Sequence, residues 1–163
     1  LASTRRIIFG ENPRRTAVRI IVLAAVSFVT FRWVLIPIRT EGISMLPTYQ
    51  SGRLNLVNRL AYAASEPQRG DVVAIRLAGP NVLYIKRVVG LPGERIAIQS
   101  GIVHVDGAPL VEPYVSQRRQ WNRDEITLGP REYFMLGDNR SMSAADHDFG
   151  AVDRARIVGK VIF

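Results

Sequence analysis

The sequence predicts a mainly β domain carried behind one N-terminal transmembrane helix. Three observations predict it. One long apolar run lies between arginines near the start of the 163-residue chain. Beyond it, apolar residues fall into short runs rich in β-branched side chains. Turn signals separate those runs at the spacing of an all-β sandwich or barrel. With 47% hydrophobic residues the chain supports one core plus a short extra element.

The apolar run is residues 17–38, AVRIIVLAAVSFVTFRWVLIPI. Ile20 to Phe31 carries no charge, and the run resumes after Arg32 with Trp33-Val34-Leu35-Ile36. A helix across the hydrocarbon core needs about 20 such residues. Arg19 and Arg32 stand near its ends; Arg32 suits snorkelling and Trp33 the interface. Pro37 ends or kinks the helix. No small-x-small site with a polar start follows, which argues against a removed signal peptide.

Residues 1–16 are basic. Arg5, Arg6, Arg14, Arg15 and Arg19 against Glu11 carry +4 of the net +8. Arginines before an apolar run place the N-terminus in the cytoplasm. The expected organisation is therefore a cytoplasmic segment 1–16, an anchor 17–38 and an extracytoplasmic β-rich domain 39–163. The positive-inside rule accounts for the charge without nucleic acid, and no basic stripe with interleaved aromatics follows.

In the soluble part, strand-like runs occur at 53–58, 71–77, 82–89, 95–98, 102–105, 126–128, 133–136 and 157–163. Gly79-Pro80-Asn81, Leu91-Pro92-Gly93, Ser100-Gly101, Asp106-Gly107 and Gly129-Pro130 punctuate them. Asp106-Gly107 is the spacing of a two-residue hairpin. Leu60–Ser65 reads as a weak helical turn or loop. Residues 112–124 read as a polar surface excursion. Its Arg118, Arg119 and Arg123 meet anionic headgroups or, the blander reading of a charge run, line a solvated loop.

There are no cysteines, so disulfides, thiol nucleophiles and cysteine metal sites are excluded. No phosphate-binding glycine loop is present, and His104 and His147 lack metal-ligand spacing; no cofactor or metal is expected. A serine nucleophile needs a base. His104 occupies an ordinary strand position beside the 106–107 turn, and His147 a polar loop. Lysine is the other option, provided burial leaves it neutral. Lys86 shares one strand face with Val82, Tyr84 and Val88, a largely apolar setting, while Arg87 points the other way. The pattern leaves two readings open, a neutral buried base and a lysine snorkelling to solvent. Lys160, also in an apolar strand, is the only other lysine.

Four stretches then stand in one order. They are Gly42-Ile43-Ser44-Met45-Leu46-Pro47-Thr48, Arg69-Gly70-Asp71-Val72-Val73, Lys86-Arg87-Val88-Val89-Gly90-Leu91-Pro92-Gly93-Glu94, and Gly137-Asp138-Asn139-Arg140 followed by Ser143. Together, behind an anchor, they resemble the motifs of the bacterial type I signal peptidases, membrane serine peptidases of the Ser-Lys type. The resemblance implies an antiparallel β-sheet catalytic domain of signal peptidase type. It implies Ser44 as nucleophile, Lys86 as general base and Ser143 as the serine that orients the lysine amine. The Ser44 backbone N–H is the first oxyanion donor. Gly42 stands where some members carry a second, hydroxyl donor. Arg87 and Asp138 suit a structural ion pair, and Ile43, Met45, Tyr84 and Ile85 suit the substrate pocket. Signal-peptide-bearing preproteins, the bilayer and the secretion translocon are the implied partners.

The last motif departs from the family. Its aspartate position holds Ala145, its arginine position holds His147, and Asp146 falls one place late. Rival readings are a specialised peptidase of conjugation or pilin maturation, a self-cleaving repressor, which the anchor opposes, and an inactive membrane-tethered binding module.

Overall fold

The computed structural model describes residues 12–77, 79 and 82–162, with the backbone alone at 147 and 148. The arginines at 5 and 6, Glu11, and Pro80-Asn81 of the 79–81 turn lie outside the described residues. The chain divides in sequence between Ile36 and Pro37 into two compact units.

The first unit contains an α-helix, Pro13–Val29, continued by a π-helical turn, Thr30–Val34. Asn12 caps it: its side chain accepts from the Arg15 N–H, and Pro13 fills the first turn, where no donor is needed. Together they make 22 residues, about 33 Å at helical rise, none of it buried in protein. That length and composition are sufficient to cross a bilayer. Arg32 lies over the Trp33 ring at 5.4 Å, in the last turn. The helix starts and ends about four residues earlier than the apolar run. Ile36 precedes proline, which biases it toward extended backbone, and Leu35–Arg39 is strand β1.

The remaining strands are β2 (Leu54–Asn58), β3 (Val72–Ile75), β4 (Tyr84–Gly90), β5 (Arg95–Gln99), β6 (Ile102–Val105), β7 (Ala108–Pro109), β8 (Arg123–Thr127), β9 (Glu132–Leu136), β10 (Asp148–Asp153) and β11 (Ile157–Ile162). A seven-stranded sheet has the order β1-β2-β11-β3-β4-β9-β10, and a four-stranded sheet β7-β6-β5-β8. Every registered pair is antiparallel. Asp106 and Gly107 turn β6 into β7 with φ of 50° and 83°, both in the left-handed region a tight hairpin uses.

Alternation along the central strands makes two cores. On one face Val88 and Tyr133, Met135 pack with Val73, Ile75, Val152 and Ile157. On the other, Val89, Phe134 and Leu136 pack against Ile96, Ile98, Val103 and Leu128 around the smaller sheet. β4 and β9 are thus buried on both faces, which is why Lys86 has apolar neighbours.

β11 lies tightly between β2 and β3. A Cβ at Gly159 would stand 2.3 Å from the Asn58 carbonyl oxygen, a backbone atom that cannot swing aside. Gly159→Ala is expected to destabilise the domain by about 1–3 kcal/mol, readable as a lowered unfolding midpoint.

Residues 112–124 lie mostly at the surface, with two side chains buried. Glu112 and Val115 are buried, whereas Pro113 and residues 116–120 are exposed. The reason is a partner far along the chain: Glu112 receives two N–H groups from Arg140, itself 0% exposed.

Candidate active site

Ser44 lies in a turn within the connection between β1 and β2, residues 40–53. Met45 and Tyr49, both buried, anchor it, and the Tyr49 N–H donates to the Met45 carbonyl at 2.9 Å. Gly42 takes φ +93°, which a side chain would oppose, although nothing lies within 4 Å of where its Cβ would stand. The Leu46–Pro47 bond is cis. Ser44 is left half-buried at the turn.

Three contacts tie this turn to the motif that follows β9. The Asn139 N–H donates to the Ser44 carbonyl at 3.0 Å, and the Asn139 side-chain amide to the Ile43 carbonyl at 3.0 Å. The Thr48 hydroxyl donates to Asp138 Oδ2 at 2.5 Å. Asp138 is in turn gripped by Arg87, Nε to Oδ1 at 2.8 Å and Nη2 to Oδ2 at 2.5 Å. Arg87 Nη1 donates to the Gly70 carbonyl at 2.7 Å, linking the second motif to the same cluster. The Arg87 guanidinium also lies 4.0 Å over the Tyr114 ring. Tyr114 donates to Glu112, the partner of Arg140. A paired, largely buried charge cluster therefore connects the Ser44 turn to the residue next to Lys86.

Lys86 is 2% exposed and opposite Val73 in the β3–β4 register. Its ammonium nitrogen lies 4.6 Å over the Phe149 ring. Burial lowers its pKa from the usual 10.5 to about 8, against the opposing pull of Asp138 and Asp146. Lys160 contrasts with it. That lysine lies two strands away, partly exposed, and pairs with Asp71 at 2.5 Å. Of the two open readings of Lys86, the snorkelling one does not describe this side chain.

The other sequence candidates fall as follows. The Ser143 hydroxyl, just before the one-turn helix Ala144–His147, donates to Asp146 Oδ2 within it at 2.6 Å. Asp146, one place late in the motif, thus holds Ser143 and contributes charge at Lys86. Met45 and Ile85 are buried, whereas Ile43 and Tyr84 are exposed. Tyr84 packs on Phe149 with ring centroids 5.0 Å apart. The His104 ring nitrogen lies 3.1 Å from its own strand's Ile102 carbonyl. The side chain of His147 lies outside the described residues. Among the described residues no group of three or more His, Asp or Glu stands together as a metal site would.

Phe149 is the site residue that sequence reasoning missed. Its strand, DFGAVD, shows no clean alternation, and only the single large apolar residue after an acidic stretch marks it.

Residues 14–163 match the family described as "Signal peptidase, peptidase S26". A signal peptidase I of Bacillus caldolyticus is 39% identical over 137 residues, covering 76% of this chain and 75% of that one. A signal peptidase I of Leptolyngbya laminosa is 32% identical over 164 residues, covering 94% and 80% respectively. A crystal structure of a signal peptidase I from Enterococcus faecalis aligns at 28% identity and TM-score 0.48, covering 60% of this chain and 98% of that one.

Proposed function

The chain belongs to the signal peptidase family, peptidase S26, and on that premise we propose a membrane-anchored serine endopeptidase that cuts N-terminal signal peptides from exported preproteins. Ser44 is the nucleophile and Lys86 the general base. The observation that carries this reading is the burial of Lys86 against Phe149, with its pKa lowered to about 8. A lysine at that value is about a tenth neutral at pH 7, far more than an ordinary lysine, and that fraction accepts a proton.

In the first step Ser44 Oγ bonds to the scissile carbonyl carbon as its proton passes to Lys86 Nζ. The ammonium then protonates the leaving amine, and the released chain departs. Neutral again, Lys86 takes a proton from the water that hydrolyses the acyl-serine. Ser143 is assigned to position the amine: its O–H is given to Asp146, and a hydroxyl oxygen can also accept from a lysine N–H. The Ser44 N–H stabilises the oxyanion, and Gly42 adds no side-chain donor.

Ile43 and Tyr84 offer exposed apolar surface for the small side chains before the cut. Met45 and Ile85 are taken up in packing. The Pro13–Val34 helix anchors the enzyme, and the preceding arginines set the catalytic unit on the outer face of the cytoplasmic membrane. There the bilayer and the translocon would bring the preprotein to the site.

The test is cleavage of a preprotein with a small-x-small site by the full chain in detergent or lipid, beside Ser44→Ala. The parent cuts at the expected bond, and the folded Ser44→Ala protein loses at least about 10³-fold in rate. Cleavage that persists in Ser44→Ala overturns the nucleophile. A folded parent that leaves every such preprotein intact overturns the general signal-peptide reading.

A further inference from the structure

The nucleophile turn has an unusual attachment: one residue from a distant motif holds two consecutive carbonyls on it. Asn139 gives its backbone N–H to the Ser44 carbonyl and its side-chain amide to the Ile43 carbonyl, each at 3.0 Å. The Leu46 N–H also donates to the Ile43 carbonyl, at 3.2 Å. The peptide planes on both sides of Ser44 Cα are therefore held.

The amide is oriented unambiguously. Asn139 Oδ1 accepts from the Ser141 N–H at 3.3 Å and from the Ser141 hydroxyl at 2.6 Å. A backbone N–H can only donate, so the oxygen faces Ser141 and the NH₂ faces Ile43. Asn139 itself stands on a fixed base. Arg140, fully buried, donates to the Gly137 carbonyl at 2.7 Å and is paired with Glu112.

The Ile43–Ser44 peptide is trans. In a planar trans peptide the C=O and the N–H point in opposite directions. Holding the Ile43 oxygen from behind therefore aims the Ser44 N–H away from Asn139. Among the described residues nothing accepts from that N–H. A turn that leaves a donor aimed and unused beside a nucleophile is the arrangement an oxyanion requires, because preorganised donors need no reorientation as charge develops.

We propose that Asn139 is a positioning residue for catalysis, aiming the Ser44 N–H at the developing oxyanion through the Ile43–Ser44 peptide plane. This rests on the reading of Ser44 as nucleophile. With no hydroxyl at Gly42, the backbone donor carries more of the oxyanion's charge, so its aim matters more.

Asn139→Asp isolates the effect. It keeps the oxygen that Ser141 needs and the backbone N–H, and replaces only the donor that faces the Ile43 carbonyl. Asn139→Ala serves as a second, uncharged variant. Rates are read on the alkaline plateau of the pH profile, where Lys86 is neutral and a shift in its pKa does not enter; because the new carboxylate itself repels a developing oxyanion, the fall must also appear in the uncharged Asn139→Ala protein. The expected result is a fall in kcat of about 10- to 100-fold with KM within about twofold, at a parental unfolding midpoint.

The second readout is a peptide aldehyde ending in Ala-x-Ala. Ser44 Oγ adds to its aldehyde carbon and turns the carbonyl oxygen into an oxyanion mimic. Its affinity should fall by a factor similar to that in kcat, while the cleaved product peptide binds as tightly as to the parent. Parental kcat in Asn139→Asp, or a rise in KM alone, or unchanged aldehyde affinity overturns the proposal. Each of these leaves the nucleophile standing, which the parent and Ser44→Ala controls decide separately.

Discussion

A Lys86→Met enzyme will fail to cleave preprotein and yet, at pH 7, will unfold at a higher temperature than the parent. The first half follows from losing the proposed base, and a loss of at least about 10³-fold is expected. The second half follows from where the lysine sits. It is 2% exposed, faces Val73 and Phe149, and holds a pKa lowered by burial to about 8, against 10.5 in an unfolded chain. Below pH 8 both states carry the charge, and the folded state bears the full penalty of about 3 kcal/mol. Methionine is of similar length and carries no charge, and exchanging a buried ion for a packed apolar side chain is often stabilising by about 1–4 kcal/mol. An increase in unfolding temperature on the order of 5 °C is expected.

The pH dependence gives the sign. Between about pH 8 and 10.5 the unfolded chain binds more protons at this residue than the folded one, so this contribution to stability rises with pH. The gap between Lys86→Met and the parent should therefore be widest below pH 8 and shrink as pH approaches 10.5. The kcat/KM of the parent climbs earlier, as the neutral fraction grows from about a tenth at pH 7 to about half at pH 8, and levels off above about pH 9. A variant less stable than the parent at pH 7, with a gap that does not change up to pH 10.5, would remove the depressed pKa from the explanation.

Much of the fold was legible because its strands are short, alternating and separated by turn residues. The 82–89 run carries the signal most strongly, and β4 occupies most of it. What stayed hidden has physical causes. β1 is continuous in composition with the apolar helix, so no change of period marks Leu35. β10 is an edge strand hydrogen-bonded only to β9, and its sequence need not alternate to be held. The burial of Glu112 depends on Arg140, 28 residues later, a pairing that local pattern cannot contain. At the site, the apolar face of Lys86 was readable from alternation, but Phe149 was not. Asp146 looked like a misplaced acid in sequence. In three dimensions the one-turn helix brings it back to Ser143.

Asp138→Ala will cost more stability than its single ion pair implies, and Asp138→Asn will separate the structural part from the electrostatic one. Asp138 is 1% exposed and accepts from Arg87 twice and from Thr48 once. Removing it leaves the buried Arg87 guanidinium without its counter-charge, with only the Gly70 carbonyl and the Tyr114 face remaining. Breaking one side of such a pair typically destabilises by about 3–5 kcal/mol. The Thr48 tie is lost with it, so the Ser44 turn is held less firmly and kcat should fall by about 100-fold. Adding Arg87→Met to Asp138→Ala removes the stranded charge and should recover part of the stability, a coupling that a double-mutant cycle measures. It should not restore the rate, because the turn stays untied. Asp138→Asn retains the shape and one acceptor. Because the Asp138 charge raises the Lys86 pKa, its loss lets that pKa fall further. The rising limb of kcat/KM should then move to lower pH, while the plateau drops less than in Asp138→Ala. A limb that stays in place would mean that Asp138 acts on the site only through the backbone it holds, and not through its charge at the lysine.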